Sequence, residues 1–480
     1  MEKSKFNKVL GMSDVLVIAF GAMIGWAWVV STGDWISTAG TIGAIFSFII
    51  GGIMVYFVSL TYAELTAAMP QCGGEHVFSY RAMGPNASFV CTWAIVLGYA
   101  SVAAFEACAM PTVITYIFPN FLKGYMYTIA GFDVYASWVA VAVIAAIIIT
   151  YINLKGVKTA AILQTIFTLM IAAAGIALVA ASAVNGSMDN LTAYPFASAE
   201  FTDVSKLGGI MTIAVMTPFY FVGFDVIPQV AEEINISYKK LGKIMLLSII
   251  IAIVFYAMVV FGVGYIMPVG DMVSAELPTA TAMEVAFGIP AMAKVLVIGG
   301  IAGMITSWNS FIIGGSRAMF SMAESKMLPE VFAKLDPKSK APTNAILFIG
   351  IASAIAPFFG RRMLVWIVDA GSLGVCVAYL MVALSFLILR KKEPEMNRPY
   401  RVKNGTLVGI LAVIMAGFFT VLYIVPLPFA STALVWQEWI VAGLWIVIGA
   451  VFFVYCKKKY GAEFGKHIDV MLDESLMEKE

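Results

Sequence analysis

The chain has 480 residues, 61% of them hydrophobic and only 12% charged, where a soluble domain carries about 25% charged residues. A formal net charge of +1 excludes a basic nucleic-acid surface. Two histidines, His76 and His467, are too few for a histidine-based metal centre, and none of the five cysteines forms a CxxC pair.

The N-terminal stretch MEKSKFNKVLGMSD leads straight into an apolar run without an A-x-A-like site, so we expect no removable signal peptide. A membrane helix needs roughly 20 apolar residues. That length criterion predicts an all-α integral membrane protein with about twelve spans: 13–38, 41–69, 88–118, 134–153, 159–184, 208–230, 241–267, 292–322, 343–359, 363–389, 406–426 and 434–456. Lysines and arginines concentrate in alternate connections, from Lys3, Lys5 and Lys8 through Arg81, Lys155 and Lys239 to Lys457. The opposite side holds only Lys123, Lys206, Lys294, Arg361 and Arg362. This bias places both termini in the cytoplasm of a cell-membrane protein. The connection 185–207 carries Asp189, Glu200 and Asp203 and two N-x-S/T sequons, at Asn185 and Asn190. The tail 457–480 is short and charged.

Two spans are interrupted. The first reads GAMIGWAWVVSTG, with Gly21 and Gly25. The sixth reads TPFYFVGFDVIPQVAEE, with Pro218, Gly223, Asp225 and Pro228. Irregular backbone at membrane depth is tolerated only where it is buried or lines a cavity. Broken helices five spans apart are what two inverted five-helix repeats produce, and their freed backbone groups bind substrate. The predicted organisation is therefore a cytoplasmic N-terminus (1–12), a first repeat (13–184), a second repeat (208–389), two peripheral helices (390–456) and a cytoplasmic tail (457–480).

Four local patterns carry a family resemblance across roughly 10–456: GAMIG in span one; YAELTAAMPQCGGEHVFSYRAMG at 62–84; FVGFDVIPQVAEEI at 221–234; and SRAMFSMAESKMLP at 316–329 with NRPYRV at 397–402. In this order and spacing the chain resembles the amino acid–polyamine–organocation (APC) superfamily of permeases. The resemblance implies secondary active transport by alternating access, by proton or sodium symport or by exchange. Substrate, an amino acid or related amine, would bind between helices one, three, six, eight and ten. It points to Ala22, Met23, Ile24, Gly25, Trp26 and Ala27 at the first break. It also points to Phe219, Tyr220 and Gly223 at the second, with Phe219 as an aromatic gate, and to Phe311 in span eight as a pocket-lining residue.

This chain departs from the family pattern in two places. Many members have small residues after the first break, which let backbone amides reach a substrate carboxylate. Here the segment is GWAW, with Trp26 and Ala27 at those positions. An indole face attracts cations, by about 2 kcal/mol or more when desolvated. Glu106 lies deep in span three, where an ionisable group is costly unless paired or hydrated. It is expected to pair with a substrate ammonium or to carry a proton. Asp225, just after the second break, is expected to cap freed amides or link gating to protonation. Thr306 and Ser307 in span eight are candidate sodium ligands. Span five has no lysine to stand in for a sodium ion, as some members do. Glu64, Glu232 and Glu233 are expected to pair with Arg81 or loop lysines as an inner gate. The Ser-Tyr-Lys-Lys run at 237–240 matches the S-x-x-K hydrolase pattern but stands in a basic loop without supporting motifs.

The reading is thus a transporter of a small amine-bearing solute with the lipid bilayer as its surroundings, no catalytic residues, no cofactor, no metal and no nucleic-acid partner. Coupling is to protons or by exchange. A sodium-coupled symporter of an ethanolamine-, polyamine- or quaternary-amine-type solute is the alternative, and a channel or membrane enzyme the remote one. No oligomeric state follows from the sequence.

Overall fold

The computed structural model describes residues 6, 8–129, 131–197, 207–361, 363–427 and 432–466, with the side chains of 157–160 left aside. Lys3, Lys5, Lys206, Arg362, Glu200, Asp203, His467 and most of the charged tail lie outside the described residues. Among the described residues, eleven helices are long and apolar enough to cross a membrane. In chain order they are span one Met12–Val30, two Thr41–Ala68, three Pro85–Ile117, four Ala136–Leu154, five Ala161–Asn185 and six Gly208–Gln229. They continue with seven Tyr238–Ile266, eight Ala291–Glu324, ten Met363–Lys392, eleven Gly405–Ile424 and twelve Trp436–Glu463. The ninth apolar segment is the shorter helix Thr343–Phe359, which completes the expected twelve.

Burial sorts these helices into a centre and a rim. Spans one, three, six and eight are largely enclosed by protein, whereas spans four, five and twelve turn most of their surface outward. Span three packs chiefly on spans ten and eight, and span two on spans seven and six. Between spans two and three a short helix, Glu75–Met83, ends at Gly84, whose φ of +86° lets the chain reverse into Pro85 at the head of span three. One element was not anticipated: an antiparallel hairpin, β1 Tyr125–Ile129 and β2 Phe132–Tyr135, joins spans three and four. Its Tyr127 hydroxyl donates to the Phe358 carbonyl at 2.6 Å, tying the hairpin to the end of the ninth helix.

The polar clasps at the basic end differ from the expected ones. Glu64 accepts from Arg390 and from the Val402 backbone N–H, and also pairs with Arg398 at 3.0 Å. The NRPYRV segment is therefore folded around a carboxylate of span two. Arg317 donates to Glu233 at 2.9 Å with both side chains buried, so the S-R-A-M and A-E-E motifs meet in one ion pair. Arg81 pairs with Glu393 instead. In each case the acid finds an arginine of a distant helix end, because packing brings those ends together and a planar guanidinium suits a buried carboxylate. All five cysteines are free and buried, as small apolar residues are. The sequon amides of Asn185 and Asn190 donate to the carbonyls of Ala286 and Tyr265.

Candidate functional site

Span one runs as a regular helix from Met12 to Met23, breaks at 24–26, and resumes at Ala27–Val30. Gly21 thus lies inside the helix and not at the break. A Cβ there would meet Gln164 Nε2 and Thr168 Oγ1 at 2.6 Å, so Gly21 serves close packing on span five. Gly25 is at the break itself. A Cβ on Gly25 would lie 2.2 Å from Glu106 Oε1 and 3.0 Å from Ser307 Oγ. The Glu106 carboxyl therefore rests directly on the opened backbone. The Trp26 N–H donates to Glu106 Oε1 at 3.4 Å, while Oε2 has no hydrogen-bond partner although the residue is only 1% exposed.

Span six shows the same device at Val222–Asp225, between the helix Gly208–Phe221 and the turn Val226–Gln229. Gly223 has φ +141°, a conformation open to glycine. Its N–H donates to Asp225 Oδ1 at 2.6 Å, and the Tyr99 hydroxyl donates to Oδ2 at 3.0 Å. Asp225 thus caps the freed amide, with span three as its second partner. The two breaks touch: a Cβ on Gly223 would lie 2.7 Å from the Ala22 Cβ and 2.9 Å from the Met23 nitrogen. The Tyr256 hydroxyl, from span seven, donates to the Met23 carbonyl at 2.7 Å and reaches the Tyr220 carbonyl at 3.5 Å.

The structure gathers the anticipated residues in two groups. Gly25, Trp26, Glu106 and Ser307 meet at the first break, and the Ile24 and Gly25 carbonyls press on Gly303 of span eight. Ala22, Met23, Tyr220, Gly223 and Asp225 meet at the second. Phe311 stacks at a tilt on Tyr99, 5.6 Å between ring centres, and so joins the Asp225 side. Phe219 packs edge-on against Phe105, the neighbour of Glu106, at 5.9 Å. Tyr220 accepts from the Trp35 indole at 3.4 Å within an aromatic plug that includes Phe48.

The two tryptophans of GWAW are both buried. The ring of Trp26 fills the notch at Gly300 of span eight, where a Cβ would lie 2.3 Å from Cζ3. Trp28 stands edge-on to Phe255 at 5.5 Å. Ala27 begins the second half-helix. Thr306 and Ser307 point apart, as consecutive helical residues must. The Thr306 hydroxyl donates toward the carbonyls of Gly21 and Gly303, at 3.0 and 2.8 Å, whereas Ser307 faces Glu106.

Sequence reasoning missed Tyr99, Tyr256, Gly300 and Gly303, and also Gln164. Gln164 was legible in principle as a lone amide in an apolar span. It donates to Ser310, whose hydroxyl donates to the Ile18 carbonyl. Among the described residues no group of three or more His, Cys, Asp or Glu is placed to hold a metal.

Residues 10–452 match the amino acid permease family. The chain is 26% identical over 474 residues to a branched-chain amino acid permease of Bacillus subtilis, covering 95% of this chain and 94% of that one. It is 26% identical to a methylthioribose transporter of the same organism, covering 95% of each. An aspartate–proton symporter, also of Bacillus subtilis, is 25% identical over 87% of this chain and 79% of its own. These relatives carry three chemically different solutes in their names, so similarity at this level does not choose among substrates. With the match spanning almost the whole chain, and with two broken helices meeting inside a multi-pass bundle, the protein belongs to the amino acid permease family and is a transporter, not an enzyme.

Proposed function

We propose that this transporter moves a small amine-bearing solute across the cell membrane by alternating access, with both termini in the cytoplasm and a five-plus-five inverted repeat around the paired breaks. The observation that carries the solute class is Glu106: a buried carboxyl on the first break whose Oε2 has no partner. An ammonium supplies the positive charge and the donors that such an oxygen lacks. The Trp26 indole and the aromatic plug around Tyr220 supply apolar walls. The residues proposed to surround the solute are Ala22 to Ala27, Glu106, Phe219, Tyr220, Gly223 and Phe311, with Asp225 and Phe219 as gating elements.

Coupling by protons or by exchange fits better than coupling by sodium. A sodium ion needs oxygen lone pairs. At the junction of spans one, five and eight, the Gly21 and Ile18 carbonyls of helix one already accept from the Thr306 and Ser310 hydroxyls, and the Ser310 oxygen accepts from the Gln164 amide. The name of the aspartate–proton symporter among the relatives is in keeping with protons.

The test is thermal stabilisation of the purified protein by neutral amino acids, basic amino acids, ethanolamine, polyamines and quaternary amines, each with and without sodium. A ligand at 100 times its Kd adds about 2.7 kcal/mol to the folded state. We expect amines to stabilise the wild type irrespective of sodium and to lose this effect in Glu106→Gln. Stabilisation by α-amino acids that survives Glu106→Gln overturns the role of Glu106, and a sodium requirement overturns the coupling.

A further inference from the structure

Span seven begins with charges that work against its own helix. The sequence from Ser237 reads SYKKLGKIMLL, so Lys239, Lys240 and Lys243 crowd the head of the helix, and its first turn carries no acid. The N-terminus is the positive end of the helix dipole, where cations are unfavourable. Lys239 and Lys243 also stand four residues apart on one face, where like charges repel. All three lysines are exposed, and among the described residues none forms an ion pair.

The connection between spans ten and eleven adds to this charge. The Tyr400 ring lies against Gly242, where a Cβ would be 2.7 Å from Cγ, and packs with Tyr238 and Ala67. Lys243 and Arg401 each stand one residue from that contact, and Lys403 follows. Arg401 and Lys403 are exposed and likewise form no ion pair among the described residues. Two nearby acids are committed elsewhere, Glu64 to Arg390 and Arg398, and Glu393 to Arg81. Glu395, in the same connection, is exposed and forms no ion pair among the described residues.

Apolar surface continues from these charges. Along span seven, Leu247, Ile250, Ile251 and Val254 follow Lys243 at helical spacing on one face, and all are exposed. Leu407, Ile410 and Ile414 form an exposed stripe on span eleven. Both helices pack on span two.

We propose that this corner docks an anionic phospholipid, with the phosphate among Lys239, Lys240, Lys243, Arg401 and Lys403 and the acyl chains along the outward faces of spans seven and eleven. The phosphate supplies the negative charge that the head of span seven lacks and offsets the repulsion between Lys239 and Lys243. A free anion would supply the charge but leave the apolar faces unused. The bound lipid ties the head of span seven to the connection between spans ten and eleven, reinforcing the contact of Tyr400 with Gly242. None of this depends on the solute.

The experiment follows thermal unfolding of the delipidated full chain in neutral detergent. Phosphatidylglycerol, phosphatidylcholine with the same acyl chains, and inorganic phosphate are titrated in separate arms. We expect phosphatidylglycerol to raise the wild-type melting temperature saturably, by a shift that shrinks with added salt. The other two probes should give no comparable shift. A basic residue near the surface is worth about fivefold in affinity for anionic lipid, so Lys239→Gln, Lys240→Gln and Lys243→Gln together should weaken the apparent affinity roughly a hundredfold. Arg401→Gln with Lys403→Gln should weaken it less. Replacing the three lysines by arginine keeps the charge and should keep the response, which separates loss of charge from misfolding. A control, Lys334→Gln with Lys338→Gln and Lys340→Gln, removes the same charge from the connection between spans eight and nine and should respond like the wild type. Equal stabilisation by phosphatidylcholine or by inorganic phosphate overturns the proposal, since chains alone or a free anion would then suffice. So does an equal loss in the control, a lost response in the arginine variant, an unchanged affinity in either glutamine variant of the corner, or no shift in the wild type.

Discussion

The two breaks solve one problem in two ways. At span six the freed amide of Gly223 is capped by Asp225, two residues on, and both carboxylate oxygens are used, the second by Tyr99. At span one the freed amide of Trp26 is met by a carboxyl from 80 residues away, at a longer 3.4 Å, and one oxygen is left over. A short local cap with no spare capacity is a structural fixture. A long-range cap with a spare acceptor has room for a ligand. Stability should therefore reside at the second break and binding at the first.

The sharpest way to break this contrast is Asp225→Ala. It strands a buried N–H at Gly223, worth about 1–3 kcal/mol, and removes a carboxylate acceptor from the Tyr99 hydroxyl, which keeps only the backbone carbonyl of residue 225. We expect the largest loss of unliganded stability here, measured by denaturant unfolding in mixed micelles. Asp225→Asn should recover part of it, since an amide oxygen still accepts from Gly223. If Asp225→Ala unfolds like the wild type, span six is not the fixture described.

Gly25→Ala should show the opposite pattern. The added methyl would sit 2.2 Å from Glu106 Oε1, so the carboxyl must leave the break. Overpacking of this kind costs about 1–3 kcal/mol, less than a stranded N–H together with a lost hydrogen bond to a carboxylate. The stabilisation by amines, however, should vanish. A variant that still responds to the same amines would show that Glu106 acts from another position. Gly300→Ala probes the wall of the same site. It drives a methyl into the Trp26 ring, 2.3 Å from Cζ3. We expect weakened amine binding with a stability change of about 1–3 kcal/mol, because the indole must tilt out of its notch.

How much of this was legible in the sequence follows from what hydropathy and spacing encode. Apolar runs and their glycine interruptions report helices and breaks directly, so the spans and both breaks were readable, as was the cost of burying Glu106. The azimuth of a side chain is not encoded in that way. Trp26 read as a cation-attracting face, but its ring is placed by the absence of a side chain at Gly300, 274 positions along in a helix whose neighbour cannot be known from either segment. The arginine partners of Glu64 and Glu233 were misassigned for the same reason: Glu64 and Arg390 are 326 residues apart. Gly21 and Gly25 look alike in sequence, yet only Gly25 opens the helix, because Gly21 faces Gln164 and Thr168, whose size fixes a close but regular contact.

The smallest expected effect concerns the link between the two breaks. Tyr256 donates to the Met23 carbonyl at 2.7 Å and lies 3.5 Å from the Tyr220 carbonyl, so its hydroxyl spans both interruptions from span seven. Tyr256→Phe keeps the ring stack on Phe48, at 4.8 Å, and removes only the hydroxyl. A net hydrogen bond is worth about 0.5–1.5 kcal/mol, and unliganded stability should fall by no more than that. If the breaks moved independently, amine binding would be unchanged, because the Tyr256 hydroxyl donates to the Met23 and Tyr220 carbonyls and not to Gly25 or Glu106. If they move as one unit, loosening the Met23 carbonyl lowers the share of protein in the binding-competent form, and apparent amine affinity falls by that fraction. A measured drop in affinity with nearly unchanged stability would establish that the binding break and the fixed break are mechanically joined through one phenol.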